Sequence, residues 1–146
     1  MEIGDKLFIN TDGGSRGNPG PAAIGVAFFN DTEKLIYSYK EKIGVATNNE
    51  AEYLAIIKAL EILLQSSWFK SCNQKGNKSV VCRLDSKLVV EQINGNYKIK
   101  QDHIKVFIEK VNILLNEIKL EIGFVHIRRE ENKIADKLVN EALDNK

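Results

Sequence analysis

The chain has 146 residues, 43% apolar and 28% charged, with a formal net charge of +1; this is the make-up of a soluble globular protein, with length for one domain over residues 1–146 and a genuine core. No apolar run approaches the ~18 residues of a membrane span, and the start MEIGDKLFIN lacks a signal-peptide layout, so a cytoplasmic protein is expected. Two cysteines, Cys72 and Cys82, argue against a disulfide framework and, with only two histidines, make a poor zinc set.

KLFINTD (6–12) reads as a strand, GGSRGNPG (13–20) as a glycine-rich turn, and PAAIGVAFFN (21–30) as a second strand. After the turn NDTE, EKLIYSYKEKI (33–43) alternates apolar and polar residues as a half-exposed strand, so the first three strands form an antiparallel meander. TNNEAEYLAIIKALEILLQSS (47–67) changes period: Ala51, Leu54, Ala55, Ala59, Ile62 and Leu63 recur at helical spacing, with Thr47 or Asn48 as N-cap. The polar, basic stretch 66–79 is expected to be a loop. VVCRLD (80–85) is a buried-type strand and SKLVVEQING (86–95) a short helix closed by Gly95. HIKVFIEKVNILLNEI (103–118) is an amphipathic helix, LEIGFVHI (120–127) a last strand and EENKIADKLVNEALDN (130–145) a C-terminal helix. The order βββαβααβα implies an α/β fold, a mixed sheet flanked by helices. Charge is uneven along it: residues 66–105 hold eight Lys or Arg against three acids, marking either a side that faces a polyanion or a solvated surface.

Three acids stand outside the core pattern. Asp12 and Asp85 end strands, where chemistry collects in open α/β sheets, and Glu52 lies in the first turns of a helix. Each has an ordinary reading too: Asp85 as a helix cap before Ser86, Glu52 as an acid favoured by the helix dipole. Carboxylates that converge repel one another unless a cation neutralises them. A set of hard oxygen donors without Cys or His suits Mg²⁺ or Mn²⁺, and hence phosphoryl chemistry. The glycine-rich stretch does not suit a nucleotide: it has neither a P-loop ending nor GxGxxG, and Pro19 and Pro21 lead into a strand where a phosphate site needs a helix N-terminus. Its glycines are expected to supply positive φ in the turn and to let a sugar-phosphate backbone approach.

TDGGSRGNPGPAAIG, TNNEAEYLAIIKALE, LDSKLVVEQINGNYKIK and HIRREENKIADKLVNEAL resemble, in order and spacing, the four motif blocks of type 1 ribonuclease H, and specifically its compact prokaryotic branch. The resemblance covers residues 6–143. It implies a ribonuclease H-like five-stranded sheet of order 3-2-1-4-5, and an endonuclease that hydrolyses the RNA strand of RNA–DNA hybrids. It places the four metal-binding carboxylates on Asp12, Glu52, Asp85 and Asp136, and the histidine near the active site on His126. Two Mg²⁺ ions roughly 3.5–4 Å apart, with Mn²⁺ as a substitute, are the implied cofactors. Asp12 would bridge both ions, with Glu52 and Asp85 on one side and Asp136 on the other. His126 would shuttle a proton or help release product; its ordinary reading is a satisfied histidine ending a strand.

Discrimination of RNA from DNA must come through the 2′-hydroxyl. The resemblance puts Gly13, Gly14, Ser15, Asn18, Asn48 and Asn49 along the minor groove as substrate contacts, with Asn18 as a turn residue and Asn48 as a helix cap the plainer readings. Departures from the family pattern are specific. Only NGNYKIKQD separates the two middle helices, so the basic protrusion that grips the hybrid is missing, partly offset by Lys98 and Lys100. Lys87 stands where relatives carry an uncharged polar residue. Trp68 and Phe69 either pack their loop or offer a platform to bases. A monomeric, stand-alone enzyme is expected, without the extra hybrid-binding module of some eukaryotic members. Two other readings stay open, a non-catalytic nucleic-acid-binding module and the same fold acting on double-stranded RNA or structured DNA.

Overall fold

A computed structural model describes residues 4–71 and 77–146. The central strand, β1 (Lys6–Ser15), pairs antiparallel with β2 (Gly20–Phe29), from Phe8 opposite Phe29 to Ser15 opposite Ala22. It pairs parallel with β4 (Ser79–Leu84), but only from Lys6 opposite Ser79 to Asn10 opposite Arg83. β3 (Leu35–Ala46) lies antiparallel on the far edge of β2, and β5 (Glu121–His126) parallel on β4, which gives the order β3-β2-β1-β4-β5.

Helix α1 (Asn48–Gln65) starts at Thr47 in a full capping box: Thr47 Oγ1 accepts from the Glu50 N–H, and the Glu50 carboxylate accepts from the Thr47 N–H. It packs with α4 (Asp102–Ile118) on one face of the sheet. Leu7, Ile9, Val26, Phe28, Tyr53, Ile56, Leu60, Leu63, Val80, Cys82, Leu84, Val111 and Ile118 form the main core there. Among the described residues the opposite face carries α5 (Lys133–Leu143) as its one helix, laid over β2, β1 and β3 through a small separate cluster of Ala23, Val139 and Ala142. Two-sided cover explains why β2 is an unbroken apolar run: Ala22, Ile24, Val26 and Phe28 face α1, and the intervening residues face α5. Gly25 is what lets α5 come so close, because a Cβ there would sit 2.4 Å from the Ala135 carbonyl oxygen. Where α5 does not reach, Arg83 covers the sheet. Its guanidinium lies 4.4 Å from the Phe8 ring centroid, Nε donates to Asn10 Oδ1 (2.6 Å), and the fork grips Glu33 at 2.9 Å.

Two expectations need correction. Gly13 and Gly14 are not in a turn; β1 runs through them to Ser15, opposite Ile24 and Ala23, and within the connecting turn it is Gly17 that takes a positive φ, +101°. The stretch 66–79 is not all loop, because Ser67–Lys70 forms a one-turn helix, α2, capped by Ser66. Within α2, Trp68 and Phe69 are buried. The Trp68 Nε1–H donates to the Gly4 carbonyl (2.9 Å), and Lys78 Nζ lies 4.3 Å from its ring centroid. A buried, bonded indole cannot serve as a base platform. Trp68→Ala is therefore expected to cost about 3–5 kcal/mol in urea denaturation and to leave hybrid affinity unchanged; weaker hybrid binding with unchanged stability would contradict this.

The loop part over 72–76, with Cys72, lies outside the described residues. Cys82 is a free, fully buried thiol whose pKa burial pushes up to about 12, so it is chemically inert. A short helix α3 (Lys87–Ile93), capped by Ser86, follows β4 and ends before Gly95. Among the described residues no helix is long and apolar enough to cross a membrane.

Candidate active site

The site sits where β1 and β4 part. Their pairing stops at Asn10–Arg83, and beyond it β1 carries Asp12 while the chain leaving β4 carries Asp85. This is the crevice at the carboxyl ends of parallel strands, at the point where β1 has neighbours of opposite sense. Glu52 arrives from α1. Its approach depends on Gly13, because a Cβ there would lie 2.2 Å from the Ala51 carbonyl carbon and oxygen and 2.6 Å from the Glu52 nitrogen. The second turn of α1 thus rests directly on the strand backbone beside Asp12.

Asp12, Glu52 and Asp85 offer oxygens that all lie within 4.8 Å of one another. Asp12 is 8% exposed and Glu52 7%. Burial first, then the charge of Asp85, raises Asp12 from 3.8 to about 7, although a hydrogen bond from Glu52 pulls it down. Burial first, then Asp12 and Asp85, raises Glu52 well above the usual carboxylate range. One Glu52 oxygen, Oε2, is buried without a hydrogen-bond partner among the described residues. A hard divalent cation fits this donor set: it would neutralise the crowded charge and use the orphaned oxygen.

Asp136, one turn into α5, lines the same cleft of about 450 Å³ without joining the three-oxygen cluster. Its Oδ1 is 3.9 Å from Arg129 Nη2, and Arg129 in turn lowers Asp12. His126 ends β5 opposite Leu84, exposed, beside the turn that carries Asp85 and outside the cleft lining. Gly13, Gly14, Ser15 and Asn48 line the cleft. Asn18 and Asn48 knit the first turn to α1: the Asn48 N–H donates to Asn18 Oδ1 (2.9 Å), and the Ser15 N–H donates to Asn48 Oδ1 (2.9 Å). Thr47, not Asn48, is the cap. Asn49 faces a different groove, shared with Leu88, Gln92, Lys98, Ile99 and Lys100.

Residue-type reasoning passed over Arg129, Arg16 and Asn132. Arg129 and Arg16 also line the cleft. Arg16 reaches across to α5, where it ion-pairs with Asp144 (2.6 Å). The run Arg128–Arg129 beside the acids of HIRREEN was the available signal for the first. Asn132, fully buried behind Asp85, gave none, because a neutral amide at a helix start reads as an ordinary cap.

Comparison with known proteins agrees with this geometry. Residues 10–142 match the family described as reverse transcriptase-like. The crystal structure of a ribonuclease H1 from a compost metagenome, in complex with an RNA/DNA hybrid, superposes with a TM-score of 0.87 at 41% identity, over 95% of this chain and 97% of that one. The chain belongs to the type 1 ribonuclease H family. Ribonuclease HI of Halobacterium salinarum is 34% identical over 97% of this chain and 66% of its own length. A bifunctional protein of Mycobacterium tuberculosis is 37% identical over 95% of this chain, which spans only 36% of that relative. The ribonuclease H sheet order expected from the sequence is the one observed.

Proposed function

We propose that this ribonuclease H domain is a metal-dependent endonuclease that cuts the RNA strand of RNA–DNA hybrids. The observation that carries the reading is the convergence of Asp12, Glu52 and Asp85 around a buried, unpaired carboxylate oxygen. The named relatives and the hybrid-bound neighbour support the substrate class.

Asp12, Glu52 and Asp85, with Asp136 across the cleft, would hold two divalent cations, Mg²⁺ in the first instance. Bound there, the ions would supply Lewis acidity and a water acidic enough to attack phosphorus at neutral pH. The chain's own residues bind and orient. Gly14, Ser15 and Asn48 present backbone and amide groups along one rim, suited to ribose hydroxyls and phosphates. Arg129 sets a positive charge beside Asp136, where a phosphate oxygen would gain from it. His126, exposed beside the Asp85 turn, is placed to carry a proton away from the site. Lys98 and Lys100, at the rim of the groove that Asn49 shares, suit the second strand's phosphates in place of the missing protrusion. The enzyme acts as a monomer and in the cytoplasm on this reading.

The test is a panel of end-labelled substrates, RNA–DNA hybrid, double-stranded RNA and DNA duplex, each with Mg²⁺ or Mn²⁺. Cleavage of the RNA strand in the hybrid alone is the expected result. Binding of hybrid without cleavage in either metal would leave a binding module, and cutting of double-stranded RNA would move the substrate class. Asp85→Asn is expected to lower cleavage about a thousandfold or more with an unchanged circular dichroism spectrum; appreciable residual activity would remove Asp85 from the ligand set.

A further inference from the structure

We infer that Asn132 is the positioning residue of this site, a buried neutral clamp that aims the Asp85 carboxylate at the cation position and locks it to β1 and α5. The inference rests on the cleft being a divalent-cation site, as proposed above.

Asn132 is fully buried at the start of α5. Its Nδ2 donates twice, to the Thr11 carbonyl at 2.9 Å and to Asp85 Oδ2 at 3.1 Å. Both partners only accept, so the amide has one possible orientation. Its own carbonyl accepts from the Asp136 N–H at 3.1 Å. One residue therefore touches the strand residue preceding Asp12, the side chain of Asp85 and the backbone of Asp136. These lie on β1, the turn after β4, and α5.

Three features distinguish this from ordinary helix capping. The side chain makes no cap hydrogen bond; it is turned away from its own helix. Its Oδ1 is buried with no partner among the described residues, a standing cost that an apolar side chain in that place would avoid. And the donor is neutral: it orients a carboxylate without cancelling the charge a cation needs, as a Lys or Arg in that place would do. The bond to Oδ2 fixes the plane of an Asp85 carboxylate that offers an oxygen within 4.8 Å of those of Asp12 and Glu52. Groups that hydrogen-bond a metal's ligands in this way typically carry about 10–100-fold in metal affinity.

The test uses Mn²⁺ titration of the protein without substrate, followed by electron paramagnetic resonance of free Mn²⁺. It compares wild type, Asn132→Ala and Asn132→Leu, the last filling the space without donors. The expected result is Mn²⁺ binding weakened about 10–100-fold, with hybrid affinity in EDTA, read by fluorescence anisotropy, unchanged. In steady-state cleavage the metal concentration for half-maximal rate rises while KM for hybrid stays. Mn²⁺ affinity equal to wild type in either folded variant overturns the inference, as does an equal loss of hybrid affinity, which would mean general distortion. If neither variant melts cooperatively, Asn132 serves the fold and the positioning role is rejected. Wild-type protein that binds no Mn²⁺ would instead defeat the cation-site reading itself.

Discussion

Asp12→Asn is expected to abolish cleavage and, in EDTA at neutral pH, to make the protein more stable. Asp12 is nearly buried against Glu52 and Asp85, and its pKa stands at about 7 against an ordinary 3.8. The sign follows from proton linkage. A carboxyl with a raised folded-state pKa binds its proton more tightly in the native state, so metal-free stability is undiminished below about pH 4 and falls as pH rises toward 7. At about 1.4 kcal/mol per pKa unit, less what the new amide loses in finding partners, the relief is on the order of 2 kcal/mol. That is a rise of roughly 4–8 °C in Tm for a chain of this size. The gain should vanish near pH 4, where wild type is already protonated. Saturating Mg²⁺ should reverse the ranking, because it stabilises wild type and not the variant. Cleavage should fall about a thousandfold or more, the several kcal/mol that a carboxylate holding a catalytic cation would support. A variant less stable than wild type in EDTA at pH 7.5 would mean the three acids do not repel as their spacing requires.

The second large effect belongs to Gly13→Ala. Its Cβ would stand 2.2 Å from the Ala51 carbonyl, backbone against backbone, with no flexible side chain to give way. Helix α1 must lift off β1, which overpacking costs put at about 1–3 kcal/mol or more. The Glu52 carboxylate moves with it, and a displacement near 1 Å at reacting groups costs on the order of a hundredfold in rate. Urea denaturation and steady-state cleavage measure the two separately. Gly25→Ala is the paired comparison, since its clash is with Ala135 and Leu138 of α5; it should weaken the hold on Asn132 and Asp136 while leaving Glu52 in place. If Gly13→Ala keeps full activity, close contact between β1 and α1 is not what seats Glu52.

Those two glycines also show where sequence reading ran out. GGSRGNPG looks like turn chemistry because glycines and a proline cluster in it, and local pattern holds no record of a helix lying across residue 13. The succession of elements, the antiparallel meander and the three acids were legible, since alternation, helical period and the placement of acids at element ends are local signals; the strand order came only through the resemblance to ribonuclease H. The N-cap choice between Thr47 and Asn48 was settled by the Glu50 side chain closing the box. Helix α2 escaped because one turn is too short to show a period, although Trp68 and Phe69 in a basic stretch marked something buried. Asn132 escaped for a different reason. Its partner on β1 is 121 residues away, and a neutral amide announces nothing until that partner is in view.

The unequal cover of the sheet has a further consequence. Helix α5 meets the sheet through a small apolar cluster of its own, Ala23 with Val139 and Ala142, apart from the main core that unites α1, α4 and the sheet, and polar contacts from Arg16, Lys40 and Asn132 supply the rest of its hold. Its apolar cluster is far smaller than the main core, so α5 is expected to open before the α1–α4 layer does. An opened molecule would keep its sheet, its α1–α4 layer and almost all of its spectroscopic signature, yet lose Asn132 and Asp136 together. Catalytic competence in this fold is thus a cooperative unit smaller than the fold itself, and activity will fade on warming before global melting is seen.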